Sequence, residues 1–412
     1  FCETLMRESV DVFSREQFNS RIHNFCRERL IDLEVHVVFD VLYQGRILAQ
    51  IGDRYCFRFN YWIFYFAAQR MHDSQDFANW IYSNMRYAQY PEVLEFYTGI
   101  DRRRSDALKM LTSDLREIRS KVESKCGLPD KFNPFRYMEW RPSPKDLERM
   151  NKEVQDGVSG SKLPTAVKDE FADRTYDPTR PYVQELREIL SEHSVVYLMR
   201  TLSAAARALR NSDYVDPNEK RELIDEIFIS FRQLAQVLMV ILPPLVDDGK
   251  ACIEGAHFHL VGEFGEQPDE RLRRILVEMP RNIIAWYSKD IFSQKMGPML
   301  IEKYKGEGDE IMKHFLILLI VAQRPRNWRR CIENYISSNA KNSYYLYDTY
   351  RNMRTEYRYS FSASSELKDL EYCIKMASAK HHFGSKSPGP KAIKKIGDSV
   401  LPKREPLVED DD

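Results

Sequence analysis

The run Arg54-Tyr55-Cys56-Phe57-Arg58-Phe59-Asn60-Tyr61-Trp62-Ile63-Phe64-Tyr65-Phe66-Ala67-Ala68 is the densest aromatic segment of the chain. It limits the fold more than any other stretch, because it changes period halfway along. Tyr55, Phe57 and Phe59 alternate with Cys56 and Arg58, which predicts a short strand with one face buried. From Tyr61 the alternation is lost, and Trp62, Ile63, Phe64, Tyr65 and Phe66 run into Ala67 and Ala68, as in a tightly packed helix. Upstream, Ile47 and Leu48 precede Gln50-Ile51-Gly52-Asp53, where Gly52-Asp53 reads as a tight turn between two short strands. Before these strands, Ser14–Leu30 carries Phe18, Ile22, Phe25 and Arg29 at helical spacing, with Ser14 and Gln17 set for a capping box. A second helix is predicted from Leu33 to Tyr43, ending before Gly45.

This order of elements is that of a winged-helix domain. The segment from Phe13 to Met71 resembles the end of the nucleotide-binding module in bacterial STAND NTPases of the NACHT-like kind, relatives of NOD-like receptors. There a winged helix closes with a strand of the form tyrosine, any residue, phenylalanine, arginine, aromatic, and an aromatic helix ending in alanine leads out. Tyr55, Phe57, Arg58, Phe59, Tyr61, Phe64, Phe66 and Ala67 match that pattern. The resemblance implies a domain-packing role for these residues. Aromatics at such spacings most often mean burial, so they are not read as an active site. In that family a winged-helix histidine commonly senses the phosphates of the bound nucleotide. His23 and His36 are the only histidines early enough, and neither sits in a matching motif.

At 412 residues the chain is too long for one ordinary core, and two or three domains are expected. Sixty-two basic residues balance sixty-two acidic ones, so no global field draws the chain to nucleic acid or an anionic membrane. The seven cysteines are scattered without C-x-x-C spacing, which argues for a reducing compartment such as the cytoplasm and against zinc. The apolar stretches Phe315–Ala322 and Leu234–Val246 are too short or interrupted to cross a bilayer. The chain opens at Phe1 on a helical pattern and is read as the C-terminal part of a longer protein.

The expected fold class is mainly α, a small winged-helix domain with a short β-hairpin followed by a multi-helix C-terminal domain. The winged-helix part takes residues 1–71. A pair or trio of packed helices follows over 72–125, with a helical pattern through Phe77, Trp80, Ile81 and Met85, a later one through Val93, Leu94, Phe96 and Tyr97, and an amphipathic helix from Ser105 to Lys121. Residues 126–181, rich in proline and glycine, read as a linker that lies against its neighbours through Phe132, Phe135, Tyr137 and Trp140. An all-helical domain spans 182–380. Its helices are predicted over Tyr182–Leu209, from Pro217 to Pro243, over Asp269–Met279, Asn282–Ser293, Asp309–Ala322, Trp328–Ile336, Tyr344–Tyr357 and Ser365–Ala379, and no strand is expected after residue 60. The region also resembles the helical C-terminal part of the same STAND proteins. Residues 381–412, rich in Pro, Gly, Ser and Lys, are expected to be disordered.

No phosphate-binding G-x-x-x-x-G-K-[ST] motif occurs, so ATP hydrolysis is not placed on these residues. The resemblance implies ATP or ADP and Mg in an NTPase core upstream, with none bound here. His257 and His259 stand close to Glu254 and Glu263, enough ligands for a metal only if a strand aimed both rings one way, and none is predicted there. Arg324, Arg326, Trp328, Arg329 and Arg330 form a candidate basic contact patch with an interleaved aromatic, as in single-strand binders. Arg102-Arg103-Arg104 is the other basic cluster.

The expectation is a non-catalytic regulatory or sensor portion of a STAND-type signalling NTPase, in bacterial defence or stress signalling. Its partners would be the NTPase core of the same protein, and a protein trigger or further copies. One alternative is a freestanding helical interaction scaffold. Another is a winged-helix nucleic-acid regulator, against which the helix Leu33–Tyr43 counts, since it carries Glu34 and Asp40 but no lysine or arginine.

Overall fold

The computed structural model describes residues 1–128, 132–137, 140, 152, 156, 160, 195–241, 250–253, 256–259, 268–291, 293–360, 363–384 and 387–404. Elements are numbered in chain order among these residues. The fold is mainly helical, and it divides into two compact units, one of residues 1–114 with 203–220 and the other of 115–202 with 221–412. No helix among the described residues is long and apolar enough to cross a membrane.

The first unit opens with α1 (Cys2–Glu8), β1 (Val12–Phe13), α2 (Arg15–Arg29), α3 (Val35–Gln44), β2 (Leu48–Ile51), β3 (Arg54–Phe57) and α4 (Tyr61–Asp73). At the start of α2 the Ser14 side chain accepts from the Gln17 backbone N–H, and the Gln17 side chain accepts from the Ser14 N–H, completing the expected capping box. The sequence reading had two strands here; there are three. β1 pairs antiparallel with β3 (Val12 opposite Cys56, Phe13 opposite Tyr55), so the sheet order is β1-β3-β2. Two residues are too few for alternation to show, which is why β1 is silent in the sequence. Gly52 takes φ +64° in the turn between β2 and β3, where a side chain would be strained.

One aromatic cluster joins β1, α2, α3, β3 and α4 with Phe1 at the start of the chain. Phe13 of β1 and Phe18 of α2 both lie 4.8 Å from the Phe1 ring, Phe18 reaches Phe39 of α3 at 5.4 Å, and Phe39 meets Tyr55 of β3 edge-on at 4.9 Å. Phe57 carries the cluster on to Phe66 of α4. Phe13, Phe18 and Phe39 are each almost wholly buried. Glu3 ties α1 to α4 through Arg70 at 2.7 Å and also pairs with Arg7.

Beyond α4 come α5 (Gln75–Tyr82), α6 (Pro91–Ile100) and α7 (Ser105–Cys126). The helical pattern expected through Met85 stops at Tyr82: within Ser83–Gln89, Asn84 and Met85 turn left-handed, and Pro91 then starts α6. Met85 is buried, so its apolar signal comes from packing and not from helix. α8 (Val195–Asn211) brings Arg207 to Glu92 at 2.8 Å and to Glu95 at 3.3 Å, and Arg210 to Glu95.

The second unit is built around α12 (Glu310–Gln323), whose residues Phe315–Val321 are all buried. α9 (Pro217–Ile241), α10 (Pro268–Ile291), α11 (Gly297–Gly306), α13 (Trp328–Ser338), α14 (Tyr344–Tyr359), α15 (Ser364–Phe383) and α16 (Pro390–Ile396) complete the helices of the described residues. Three expectations are corrected. The two helices predicted on either side of Pro280 are one, α10, because buried Met279, Ile283, Ile284 and Tyr287 continue its apolar face past the missing N–H. Two short strands, β4 (Lys250–Ile253) and β5 (Ala256–His259), pair as a hairpin where no strand was expected. The stretch expected to be disordered after His381 contains α16, with Ile393 buried, since Gly389-Pro390 opens a helix as readily as it interrupts one. In the expected linker, Phe132 and Phe135 are buried and Phe135 stacks on Tyr344 at 4.9 Å, while most of 138–194 lies outside the described residues.

A polar network fills the centre of this unit. His314 on α12 is fully buried, with Nδ1 3.1 Å from the Tyr335 hydroxyl and Nε2 3.0 Å from Asp348 Oδ2. The other Asp348 oxygen meets Arg281 Nε at 2.8 Å as an ion pair, off the line of a hydrogen bond. Arg281 also pairs with Glu278, and Glu278 with Arg351. Removing the Asp348 carboxylate strips the buried His314 Nε2 of its partner and leaves Arg281 only Glu278, which Arg351 also claims. Asp348→Ala is therefore expected to cost about 3–5 kcal/mol, read from the denaturant midpoint; a loss below about 1 kcal/mol, the scale of a surface pair, would mean that the network holds nothing together.

Candidate docking surface

The sequence of α3, VHVVFDVLYQ, is apolar around nearly its whole circumference, a composition that belongs to a helix buried on every side. Only Phe39 is buried, inserted between Phe18 and Tyr55. Val37, Val41 and Tyr43 are exposed, Val41 to 61%. The preceding turn continues the same surface. Leu30 is 94% exposed and sits left-handed at φ +53°, and Ile31 and Leu33 beside it are also exposed. Its left-handed backbone is the C-cap of α2, where the Leu30 and Ile31 N–H groups donate to the Arg27 and Cys26 carbonyls, while its side chain is left in solvent.

Asp32, Leu33, Glu34, Val37, Val38, Val41 and Leu42 line an open groove of about 440 Å³ along this face. Asp32 and Glu34 edge it with negative charge, and His36 lies 3.8 Å from Glu34. An apolar floor with an acidic edge and no lysine or arginine on α3 repels a phosphate backbone. An exposed apolar patch of this kind is a candidate interaction site.

Of the residues expected to pack domains together, Tyr55, Phe57, Phe64 and Phe66 do lie in aromatic contacts within the first unit. Tyr55 touches Phe39, Phe57 touches Phe13 and Phe66, and Phe64 touches Tyr90. Arg58, Phe59 and Tyr61 instead face solvent, Phe59 and Tyr61 stacked on each other at 5.5 Å. His23 and His36 are both exposed.

The basic stretch after α12 is dispersed. Arg324 pairs with Glu356 at 3.0 Å and Glu366 at 3.5 Å, and Arg329 pairs with Glu333 at 2.7 Å and Asp369 at 2.6 Å. Trp328 is buried, leaving Arg326 and Arg330 exposed. Arg102, Arg103 and Arg104 each pair with a carboxylate, of Asp213, Asp101 and Asp106 respectively. His257 and His259 fall on β5, opposite Cys252 and Lys250, while Glu254 and Glu263 lie outside the described residues. Among the described residues no group of three His, Cys, Asp or Glu could hold a metal ion.

Besides lacking basic residues, α3 carries more apolar residues than one buried face can use, a signal that helical spacing alone does not bring out. Val35, Val37, Val38, Val41, Leu42 and Tyr43 around Phe39 were that signal.

Residues 11–67, which hold β1 through the first half of α4 and all of this surface, match the family model described as Novel STAND NTPase 4. That is a STAND NTPase relation over a small part of the chain. No curated protein and no solved structure matches it.

The two sides of α3 should answer substitution differently. Val41→Asp should change stability by no more than about 0.5 kcal/mol, whereas Phe39→Ala should cost about 3–5 kcal/mol. Chemical denaturation of both variants measures this, and a Val41→Asp loss comparable to that of Phe39→Ala would show that the face is already covered.

Proposed function

We propose that residues 1–60 form a winged-helix module of a STAND-type signalling NTPase and that the module works by docking α3 on a protein surface, the ATP-binding core of the same protein. The match over 11–67 and the order α1-β1-α2-α3-β2-β3 with sheet order β1-β3-β2 support the module. The observation that carries the docking reading is the exposed apolar face of α3 with Leu30 held out beside it. In the docked, ADP-bound state the core covers this face; ATP and Mg favour release, which frees the helical remainder for a trigger or for assembly. The chain itself is regulatory and does no chemistry, in a cytoplasmic defence or stress response.

Nucleic-acid readout by α3 is the weaker reading. Helices that enter the major groove need donors for phosphates and base edges, and α3 offers acidic Asp40, His36 and valines.

The test is nucleotide exchange in the protein carrying its ATP-binding core. Val37→Glu with Val41→Glu should speed ADP release by at least about tenfold, the change that about 1.4 kcal/mol of lost docking energy produces, while the melting temperature of the first unit is unchanged. ADP release at the unmodified rate would contradict docking through α3.

A further inference from the structure

Within the second unit a cavity of about 50 Å³ lies between the end of α7 and the middle of α9, lined among others by Arg119, Glu123, Cys126, Arg232, Gln233 and Gln236. Three of these residues carry a buried polar atom with no hydrogen-bond partner: Nε of Arg119, Nε of Arg232 and Oε1 of Gln233. Folded proteins leave few such atoms, and three around one cavity call for an occupant that supplies two acceptors and one donor.

The guanidinium groups are held ready for it. Arg119 Nη2 lies 3.4 Å from Glu226 and Arg232 Nη1 lies 3.0 Å from Asp309, which fixes one edge of each group and leaves Nε for a ligand. Neither carboxylate is given wholly to its arginine. Glu226 also takes Arg116 at 2.7 Å, and Asp309 caps α12 by accepting from the Met312 N–H. With Glu123 and Glu222 also nearby, the site offers an anion directed N–H donors and no surplus of positive charge.

Gln233 then selects among anions. Its Nε2 donates to the Arg119 carbonyl at 2.9 Å, and this orients the free oxygen as an acceptor on a side chain only 9% exposed. A fully deprotonated oxyanion has no proton to give that oxygen. Glu123, exposed at the rim, disfavours full ionisation in the same sense. Burial pushes the Cys126 thiol up to about 12, so the thiol itself stays neutral in the cavity wall.

We propose that this cavity binds a phosphoryl group that retains a proton, as inorganic phosphate or as the end of a phosphate monoester. The two Nε–H groups donate to phosphoryl oxygens and the P–O–H donates to Gln233 Oε1. Sulfate offers the same size and acceptors but no proton at neutral pH, so the site discriminates between the two. The inference is independent of the docking role of α3.

Calorimetric titration of the full chain with sodium phosphate, sodium sulfate and glycerol phosphate at matched ionic strength tests it. Phosphate is expected to saturate one site and sulfate to bind at least about tenfold more weakly. Arg119→Gln and Arg232→Gln should each lower phosphate affinity by at least tenfold, and Gln233→Leu should remove the preference over sulfate. Glycerol phosphate binding alongside phosphate identifies the monoester as a source; phosphate binding alone restricts the site to the free ion. Arg232→Lys, which keeps the charge but not the Nε donor, serves if a glutamine variant fails to fold, and it too should weaken phosphate. The proposal is overturned if phosphate does not bind, if phosphate and sulfate bind the unmodified chain equally, or if crystals grown in phosphate hold only water in the cavity.

Discussion

The contacts of Phe39 with Phe18 and Tyr55 are the point on which the first unit turns. Phe39 is the one residue of α3 that is buried, and its ring between α2 and β3 is the main anchor of the helix, helped by Tyr43 against Tyr55 and by Asp40 paired with Arg15. Phe13 brings β1 into the same cluster and Phe57 passes it to α4, so strand register, helix placement and the way out to the following helices rest on one set of rings. Burying a phenylalanine gains about 1.5–3 kcal/mol. That anchors α3 firmly while leaving most of its apolar surface in water.

That residual exposure has a consequence for function. Val37, Val41, Leu30, Ile31 and Leu33 each carry apolar area that an isolated domain would bury or replace with polar residues. A surface that is unfavourable alone is favourable once covered, and the cover is what a nucleotide-dependent switch can apply and remove. The second unit differs: α12 is buried along its length and its polar residue His314 is enclosed by Tyr335 and Asp348, a centre with no face left over.

Much of the architecture was legible from residue spacing. The switch from alternation at Tyr55–Phe59 to an apolar helix at Tyr61 marked β3 and α4, and the Ser14/Gln17 pair marked the start of α2. These signals are local, and local signals survive in the sequence. What was not legible depends on distant partners. β1 exists only because β3 passes beside it, α10 crosses Pro280 because of the packed residues that follow it, and α16 forms from residues whose composition reads as a tail. The same holds at the sites. Arg324 and Arg329 looked like a contact patch until Glu356, Glu366, Glu333 and Asp369 met them from elsewhere in the chain. The apolar excess of α3 was visible as composition, but its meaning required knowing that only Phe39 is covered.

The most direct test is hydrogen exchange at residues 30–44 in a longer form that carries the proposed ATP-binding core, measured with ADP and then with ATP. Docking through α3 predicts that amides of this segment are protected with ADP and lose that protection with ATP, while those of α2 stay unchanged. Equal exchange in both states, at the rate of an exposed helix, would contradict it.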